Sequence, residues 1–176
     1  MRRILAAVVL ILALAAPAQA QVQAYRLDRA HAALRFEMRQ FGVPSGGAFA
    51  DFDAALQFDP ARPQDARLDV AIRAASLDAG VATGMMLRAF EAARHPVIRF
   101  VSTHVEPRGE GAFRIEGLLT LRGVTRPVVL DATVNTATPL TFTASGAFRR
   151  SAFGIGGWPW ASDRVELSIE APFSPA

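Results

Sequence analysis

Alternating apolar and polar positions occur along most of the chain after residue 25, and they predict a protein built from β-strands. The first such run places Leu34, Phe36 and Met38 on one face, with charged residues between them. Side chains of a strand point alternately to its two faces, so each run predicts a strand with one buried face. The apolar faces of the later runs begin at Phe52, Leu68, Ile98, Phe113, Val128, Leu140 and Val165. The pattern therefore predicts about eight strands.

One segment, residues 83–93, departs from this alternation and has the spacing of a helix. Met86, Phe90 and Ala93 recur at i, i+4 and i+7, which places them on one helical face. Pro96 cannot continue a helix, and a strand pattern resumes directly after it. The sequence therefore predicts one short helix between the third and fourth strands, with an apolar face that covers another part of the protein.

Strands of this number and pattern fit either a two-sheet sandwich or a closed barrel. We favour the barrel, because closure removes the exposed strand edges that this chain does little to protect. An eight-stranded barrel encloses either packed side chains or one small ligand. The expected fold is therefore an all-β, eight-stranded antiparallel barrel, with the helix over its mouth.

Residues 1–20 have the pattern of a secretory signal peptide. Two arginines precede an apolar run over residues 4–16, and Ala18-Gln19-Ala20 fits the small-x-small cleavage pattern. The apolar run falls short of the about 20 residues of a membrane-spanning helix. We therefore expect cleavage before Gln21 and export of a single domain over residues 21–176.

The cysteine and charge counts narrow the possible partners. No cysteine is present, so neither a disulfide nor a cysteine-linked lipid can stabilise or anchor the exported chain. Removal of residues 1–20 takes two of the 19 basic side chains, all of which are arginines, and leaves 17 against 16 acidic ones. Because charges of both signs are interspersed along this nearly neutral domain, we expect no nucleic-acid partner.

Several motifs together resemble the YceI-like family of exported lipid-binding proteins. They are Tyr25-Arg-Leu-Asp28, Phe41-Gly-Val, His95-Pro-Val-Ile98-Arg-Phe100, Gly117-Leu-Leu-Thr-Leu-Arg-Gly-Val-Thr-Arg-Pro-Val128 and Phe153-Gly-Ile155. The resemblance covers nearly the whole chain after residue 21. It implies a lipocalin-like barrel that holds a long isoprenoid chain, such as a polyprenyl lipid or a quinone. It also implies a periplasmic location, which is usual for the family in bacteria. It implies no catalysis, and we expect no cofactor.

The candidate ligand-binding residues are apolar side chains on the inner faces of the strands, on the helix and in the late aromatic loop. A prenyl chain prefers such a lining, because each buried methylene contributes about 0.8 kcal/mol. Strand periodicity does not separate a lined cavity from a packed core, and the family resemblance favours the cavity. The expected set is Leu34, Phe36, Met38, Phe52, Leu56, Met86, Phe90, Ile98, Phe100, Leu119, Phe142, Phe148, Phe153 and Trp160.

His31 and Arg149 are the candidate contacts for a polar head group. Asp28 and His31 also suggest a second hypothesis, a lipid-modifying enzyme that uses them as acid and base, although no serine or cysteine nucleophile accompanies them. The three histidines lack metal-ligand spacing, so we expect no metal site. A third hypothesis is a small outer-membrane barrel, because alternation alone does not tell whether apolar faces point inward or outward. A soluble binding protein is the leading interpretation, without stable insertion into the membrane.

Overall fold

The computed structural model describes residues 23–137 and 139–176, so the predicted signal peptide lies outside the described residues. Helix α1 covers Thr83–Ala89. The strand segments are β1 Gln23–Leu27, β2 Ala33–Gln40, β3 Val43–Phe49, β4 Phe52–Phe58, β5 Arg67–Arg73, β6 Leu77–Asp78, β7 Val97–Gly109, β8 Ala112–Leu121, β9 Val124–Asn135, β10 Leu140–Arg149 and β11 Arg164–Pro175. All eleven belong to one sheet.

These segments make eight barrel strands, because three of them continue others. β1 and β2 both pair with β11 and form the first strand, which the turn at residues 28–32 interrupts. β3 and β4 form the second strand, because β3 pairs with β2 and β4 pairs with β1. β5 and β6 form the third strand, because β5 pairs with β4 and β6 pairs with β3. The pairing of β1 and β2 with β11 closes the sheet on itself. The predicted eight-stranded antiparallel barrel is therefore confirmed.

Along the strands, most apolar side chains point into the barrel and the charged side chains point outward. In β4, buried and exposed positions alternate without interruption from Phe52 to Phe58. In β2, Phe36 is buried, whereas Arg35 and Glu37 are exposed. The buried residues form one apolar cluster inside the sheet. This orientation is the reverse of that in outer-membrane barrels, whose apolar band faces lipid, so the third hypothesis does not fit it.

Helix α1 lies between the third and fourth barrel strands, that is between β6 and β7, as expected. It is shorter than the sequence predicts. Phe90 is its C-cap, and Glu91 follows with a left-handed φ of +50°. The predicted continuation to Ala93 is wrong, because this left-handed residue ends the helix, and Ala93 is exposed. Across residues 23–137 and 139–176, none of the helices has the length and apolar character needed to cross a membrane.

The connections between strands lie at two ends of the barrel. We call the end that carries α1 the helix end. It consists of residues 41–42, 79–96, 122–123 and 150–163. The connections of the opposite end include residues 59–66, 110–111, 136–137 and 139. The antiparallel order therefore brings the helix and the predicted aromatic loop to the same mouth of the barrel.

Candidate functional site

An apolar cavity runs along the interior of the barrel. Its volume is about 100 Å³. This volume is small for a cavity lined by 27 residues, so the space is narrow. Of the 27 residues that line it, all are apolar except Arg150. A narrow apolar space of this kind fits a slender hydrocarbon chain better than a bulky polar molecule.

The residues on β11 show how long the cavity is. Val165, Leu167, Ile169, Ala171 and Phe173 all line it. A strand rises about 3.3 Å per residue, and barrel strands tilt by about 35–45°, so this lining extends about 20 Å along the barrel axis. The cavity is thus longer than one leaflet of a bilayer, whose two leaflets together have a hydrocarbon core of about 30 Å.

Helix α1 and the loop at 150–163 cover the cavity at the helix end. Met86 and Phe90 line the cavity from the helix side, and the Phe90 ring stacks on Phe49 with centroids 6.5 Å apart. Ile155 and Trp158 line it from the loop side. A groove on the surface between helix and loop contains the same two loop residues. The groove and the cavity therefore share two lining residues at the helix end.

Arg122 connects the two parts of this cover. Its guanidinium donates to Glu91 Oε1, directly after the helix, and to the carbonyl oxygen of Gly154 in the loop. The hydrogen bond from Arg122 lowers the pKa of the Glu91 carboxyl group. Arg94 also lies 3.3 Å from Glu91. We call the contacts of Arg122 with Glu91 and Gly154 the lid bridge, because they hold helix and loop in one closed arrangement.

Arg150, the charged lining residue, organises the loop. Its N–H groups donate to the carbonyl oxygens of Ser162 at 3.0 Å, Ile155 at 2.9 Å, Trp158 at 2.9 Å and Ala161 at 3.0 Å. The guanidinium carbon also lies 5.3 Å from the centroid of the Trp158 ring. Because four carbonyl oxygens accept its hydrogen bonds, Arg150 is satisfied by the protein itself, and the surface presented to a ligand is almost wholly apolar.

The sequence analysis selected Arg149 instead of Arg150 for contact with the ligand. Arg149 ends β10 and is exposed, and it does not line the cavity. Phe148 points inward, and the period of two along a strand would have indicated that Arg150 does so as well. The alternation along β10 could therefore have predicted that Arg150 points inward. It could not have predicted the four carbonyl oxygens in the loop that accept its hydrogen bonds.

The cavity brings together most of the predicted lining residues but not all of them. Leu56 is buried elsewhere in the core. Phe153 is 1% exposed and packs edge-to-face on Phe148, outside the cavity surface. Trp160 is 43% exposed and also lies outside it. Those at the cavity are Leu34, Phe36, Met38, Phe52, Met86, Phe90, Ile98, Phe100, Leu119, Phe142 and Phe148.

Asp28 and His31 lie on the outer wall, at the turn between β1 and β2. His31 Nδ1 is 2.8 Å from Asp28 Oδ2, and the side chains are 76% and 40% exposed, respectively. The hydrogen bond from His31 lowers the pKa of Asp28. The Ala30 N–H also donates to Asp28 Oδ1, so the aspartate closes the turn. Neither Asp28 nor His31 lines the cavity, which does not fit the expected head-group contact of His31.

Comparison with known proteins gives matches over nearly the whole barrel. A family model described as the YceI-like domain matches residues 25–173. A UPF0312 protein of Pseudomonas savastanoi pv. phaseolicola is 31% identical over 96% of this chain and 95% of that protein. The crystal structure of Burkholderia cenocepacia BcnA has a TM-score of 0.76 and 29% identity, over 83% of this chain and 98% of that chain.

A polyisoprenoid binding domain from Saccharophagus degradans has a TM-score of 0.70 over 88% of this chain and 99% of that domain. The TM-score shows a common fold, although the two sequences are only 14% identical. Because the family model and the curated relative both extend over nearly the full described barrel, this chain belongs to the YceI-like family.

Proposed function

We propose that this chain is a periplasmic binding and carrier protein for a long-chain isoprenoid or a similar amphiphilic lipid, such as a polyprenyl lipid or a quinone. The observation that carries the proposal is the apolar cavity, whose charged residue Arg150 already donates to four carbonyl oxygens. A polar ligand group buried there without a partner would cost about 1–3 kcal/mol. A hydrocarbon chain avoids this cost and gains about 0.8 kcal/mol for each buried methylene.

The shape of the site supports a linear chain with a small head group. The cavity is narrow and extends about 20 Å along the barrel axis. The groove between α1 and the loop contains Arg88, Arg122 and the backbone of Gly154. A polar head group would stay in this groove, in contact with water and guanidinium groups, while the apolar chain enters the barrel.

The family and the N-terminal pattern support the other parts of the proposal. The Saccharophagus degradans domain that shares the fold at 14% identity is described as polyisoprenoid binding, and the apolar cavity of this chain supports a ligand of the same kind. The signal-like pattern of residues 1–20 supports export and a domain over residues 21–176. Because Asp28 and His31 lie on the outer wall, the enzyme hypothesis has no acid–base pair at the cavity.

A pair of substitutions at neighbouring positions tests whether the cavity holds the lipid. Ala54 lines the cavity, whereas Ala55 is exposed on the outer face of the same strand. Ala54→Phe therefore fills the cavity, and Ala55→Phe adds the same side chain outside it. Native mass spectrometry, on protein as purified and after incubation with a prenyl alcohol, should show bound lipid in the wild type and in Ala55→Phe. Ala54→Phe should carry at least about tenfold less, because its ring occupies the volume of several methylenes.

Two results would contradict this function. One is a wild-type protein that is empty as purified and takes up no prenyl alcohol. The other is equal loading of Ala54→Phe and the wild type. Thermal melts of both variants serve as the control, because overpacking of a core costs about 1–3 kcal/mol and a folded Ala54→Phe protein is required for the comparison.

A further inference from the structure

A pair of exposed aromatic side chains lies at the helix end of the barrel. Phe41 is 79% exposed and Trp160 is 43% exposed, and their rings stack with centroids 6.2 Å apart. Val43, the first residue of β3, follows this turn and is 63% exposed. The Phe41 N–H donates to the Trp160 carbonyl oxygen at 2.8 Å, and Gln40 forms a β-bridge with Ala161. We call Phe41, Val43 and Trp160 the aromatic tip.

The turn that carries Phe41 has an unusual residue for its backbone conformation. Phe41 and Gly42 have φ angles of +50° and +78°, so both residues between β2 and β3 are left-handed. Two-residue turns of this kind prefer Asn-Gly or Asp-Gly, because a bulky side chain is disfavoured in the left-handed region. Phe41 gains little burial in return. Backbone strain at an exposed position is characteristic of functional surfaces, so the ring is suited to a contact outside this chain.

The helix end is also the more basic end. Its connections contain four arginines and two carboxylates, whereas those of the opposite end contain one arginine and three carboxylates. Arg39, Arg88 and Arg149 are exposed at or beside the helix end, and within the described chain no carboxylate lies within 4.0 Å of their cationic groups. Aromatic side chains settle at the interface of a bilayer, and arginines are attracted to anionic head groups. The combination therefore complements an anionic membrane surface.

We propose that the aromatic tip docks the protein on a bilayer with anionic head groups and brings the groove between α1 and the loop close to that membrane. The value of this docking for lipid transfer rests on the proposed function, but the docking itself requires only the tip and the arginines. A second copy of the chain would bring the same excess of arginines face to face, and like charges oppose such a contact. An anionic bilayer is the occupant that the charge pattern favours.

Vesicle binding of the full exported chain tests the proposal. Phe41→Asn keeps a turn residue that favours the left-handed region and removes the ring, so its melting temperature should be equal to or above that of the wild type. Its binding to phosphatidylethanolamine–phosphatidylglycerol vesicles should weaken about tenfold, since an aromatic ring no longer leaves water. Leu118→Asn, which removes a side chain that is 43% exposed on the barrel wall, should bind as the wild type does.

The charge contribution is measured with a second matched pair. Arg39→Gln, next to the tip, should weaken vesicle binding about fivefold at low salt, because each arginine near an anionic surface contributes about 1 kcal/mol. Arg67→Gln, at the far end of the barrel, should leave it unchanged. Binding of the wild type should decrease as salt is added, and it should be much weaker to phosphatidylcholine vesicles.

Three results would overturn the docking. The first is equal vesicle binding by Phe41→Asn and the wild type. The second is equal binding of the wild type to anionic and phosphatidylcholine vesicles. The third is a wild-type dimer in sedimentation that Phe41→Asn abolishes, together with no binding of the wild type to vesicles. Uptake of a prenyl alcohol in vesicle-free solution separates this inference from the proposed function. A protein that takes up the alcohol but ignores vesicles refutes the docking alone. A protein that binds vesicles but never takes up the alcohol supports the docking and refutes the carrier function.

Discussion

Replacement of Gly117 by alanine is expected to destabilise the barrel through its contact with Phe100. Gly117 is buried in β8 and is paired with Ser102 of β7. A Cβ atom at this position would lie closer than 3.0 Å to two ring carbons of Phe100 and 2.7 Å from the carbonyl oxygen of Val101. The carbonyl belongs to the neighbouring strand and cannot move without disturbing the sheet. The ring, which lines the cavity, must therefore shift, and β8 must also move away from the carbonyl oxygen of Val101.

The size of the effect follows from the cost of overpacking a core, which is about 1–3 kcal/mol. For a domain of this length, 1 kcal/mol changes the melting temperature by about 2–4 °C, so Gly117→Ala should lower it by about 2–12 °C. Gly156→Ala is the matched control, because nothing lies within 4 Å of the Cβ position there. Its melting temperature should stay within about 2 °C of the wild type, as for an exposed surface substitution.

A double-mutant cycle in urea measures how much of the loss comes from the contact with Phe100. Phe100→Leu gives the new methyl group room, so the free energy of unfolding lost by the double variant should be smaller than the sum of the single losses. Contacting residues show such coupling at about 0.5–3 kcal/mol. Additive losses, or a Gly117→Ala protein as stable as the wild type, would refute the argument that the ring of Phe100 requires a glycine beneath it.

Three further predictions concern the cover of the cavity and the outer wall. Phe90→Asp should weaken prenyl-alcohol binding with a small loss in melting temperature, whereas Phe100→Asp should unfold the protein by burying an unpaired charge; equal melting losses would mean that Phe90 is ordinary core. The lid bridge should weaken in acid. Arg122 lowers the pKa of Glu91 below its ordinary value of 4.5, so the stabilisation is present above that pH and is lost as the pH falls through the lowered value. The difference in melting temperature between the wild type and Glu91→Gln should therefore shrink on acidification, and a constant difference would contradict this. His31→Ala should leave the prenyl-alcohol affinity unchanged in a titration, and a large loss of affinity would show that the outer wall takes part in binding.

Strand periodicity predicts the barrel because it is a local property of the chain. Leu34 and Phe36 are two residues apart and face the same side whatever the rest of the protein does. Periodicity identifies which residues point into the barrel, but it does not identify which of them lie at the level of the cavity along the barrel axis. Leu56 has the same parity as Phe52 and Ala54, which line the cavity, yet it lies away from the cavity surface. The sequence could therefore predict an inward position without predicting a ligand contact.

The features that sequence analysis missed depend on contacts between distant parts of the chain. Trp160 lies outside the cavity and stacks on Phe41, because a β-bridge joins Gln40 at the end of β2 to Ala161 in the loop at 150–163. The helix ends early at Glu91, whose carboxylate is bound by an arginine from the turn between β8 and β9. Helical spacing continues in the sequence beyond this point, and no local signal marks the left-handed residue.

Affinity measured against chain length tests the central claim most directly. A titration of the wild type with prenyl alcohols of increasing length keeps the head group constant and varies only the apolar chain. Each buried methylene contributes about 0.8 kcal/mol, so the affinity should rise at least about tenfold per added isoprene unit. The increase should stop when the chain exceeds the about 20 Å of cavity along the barrel axis. An affinity that is independent of chain length would contradict the assignment of the cavity as the lipid site.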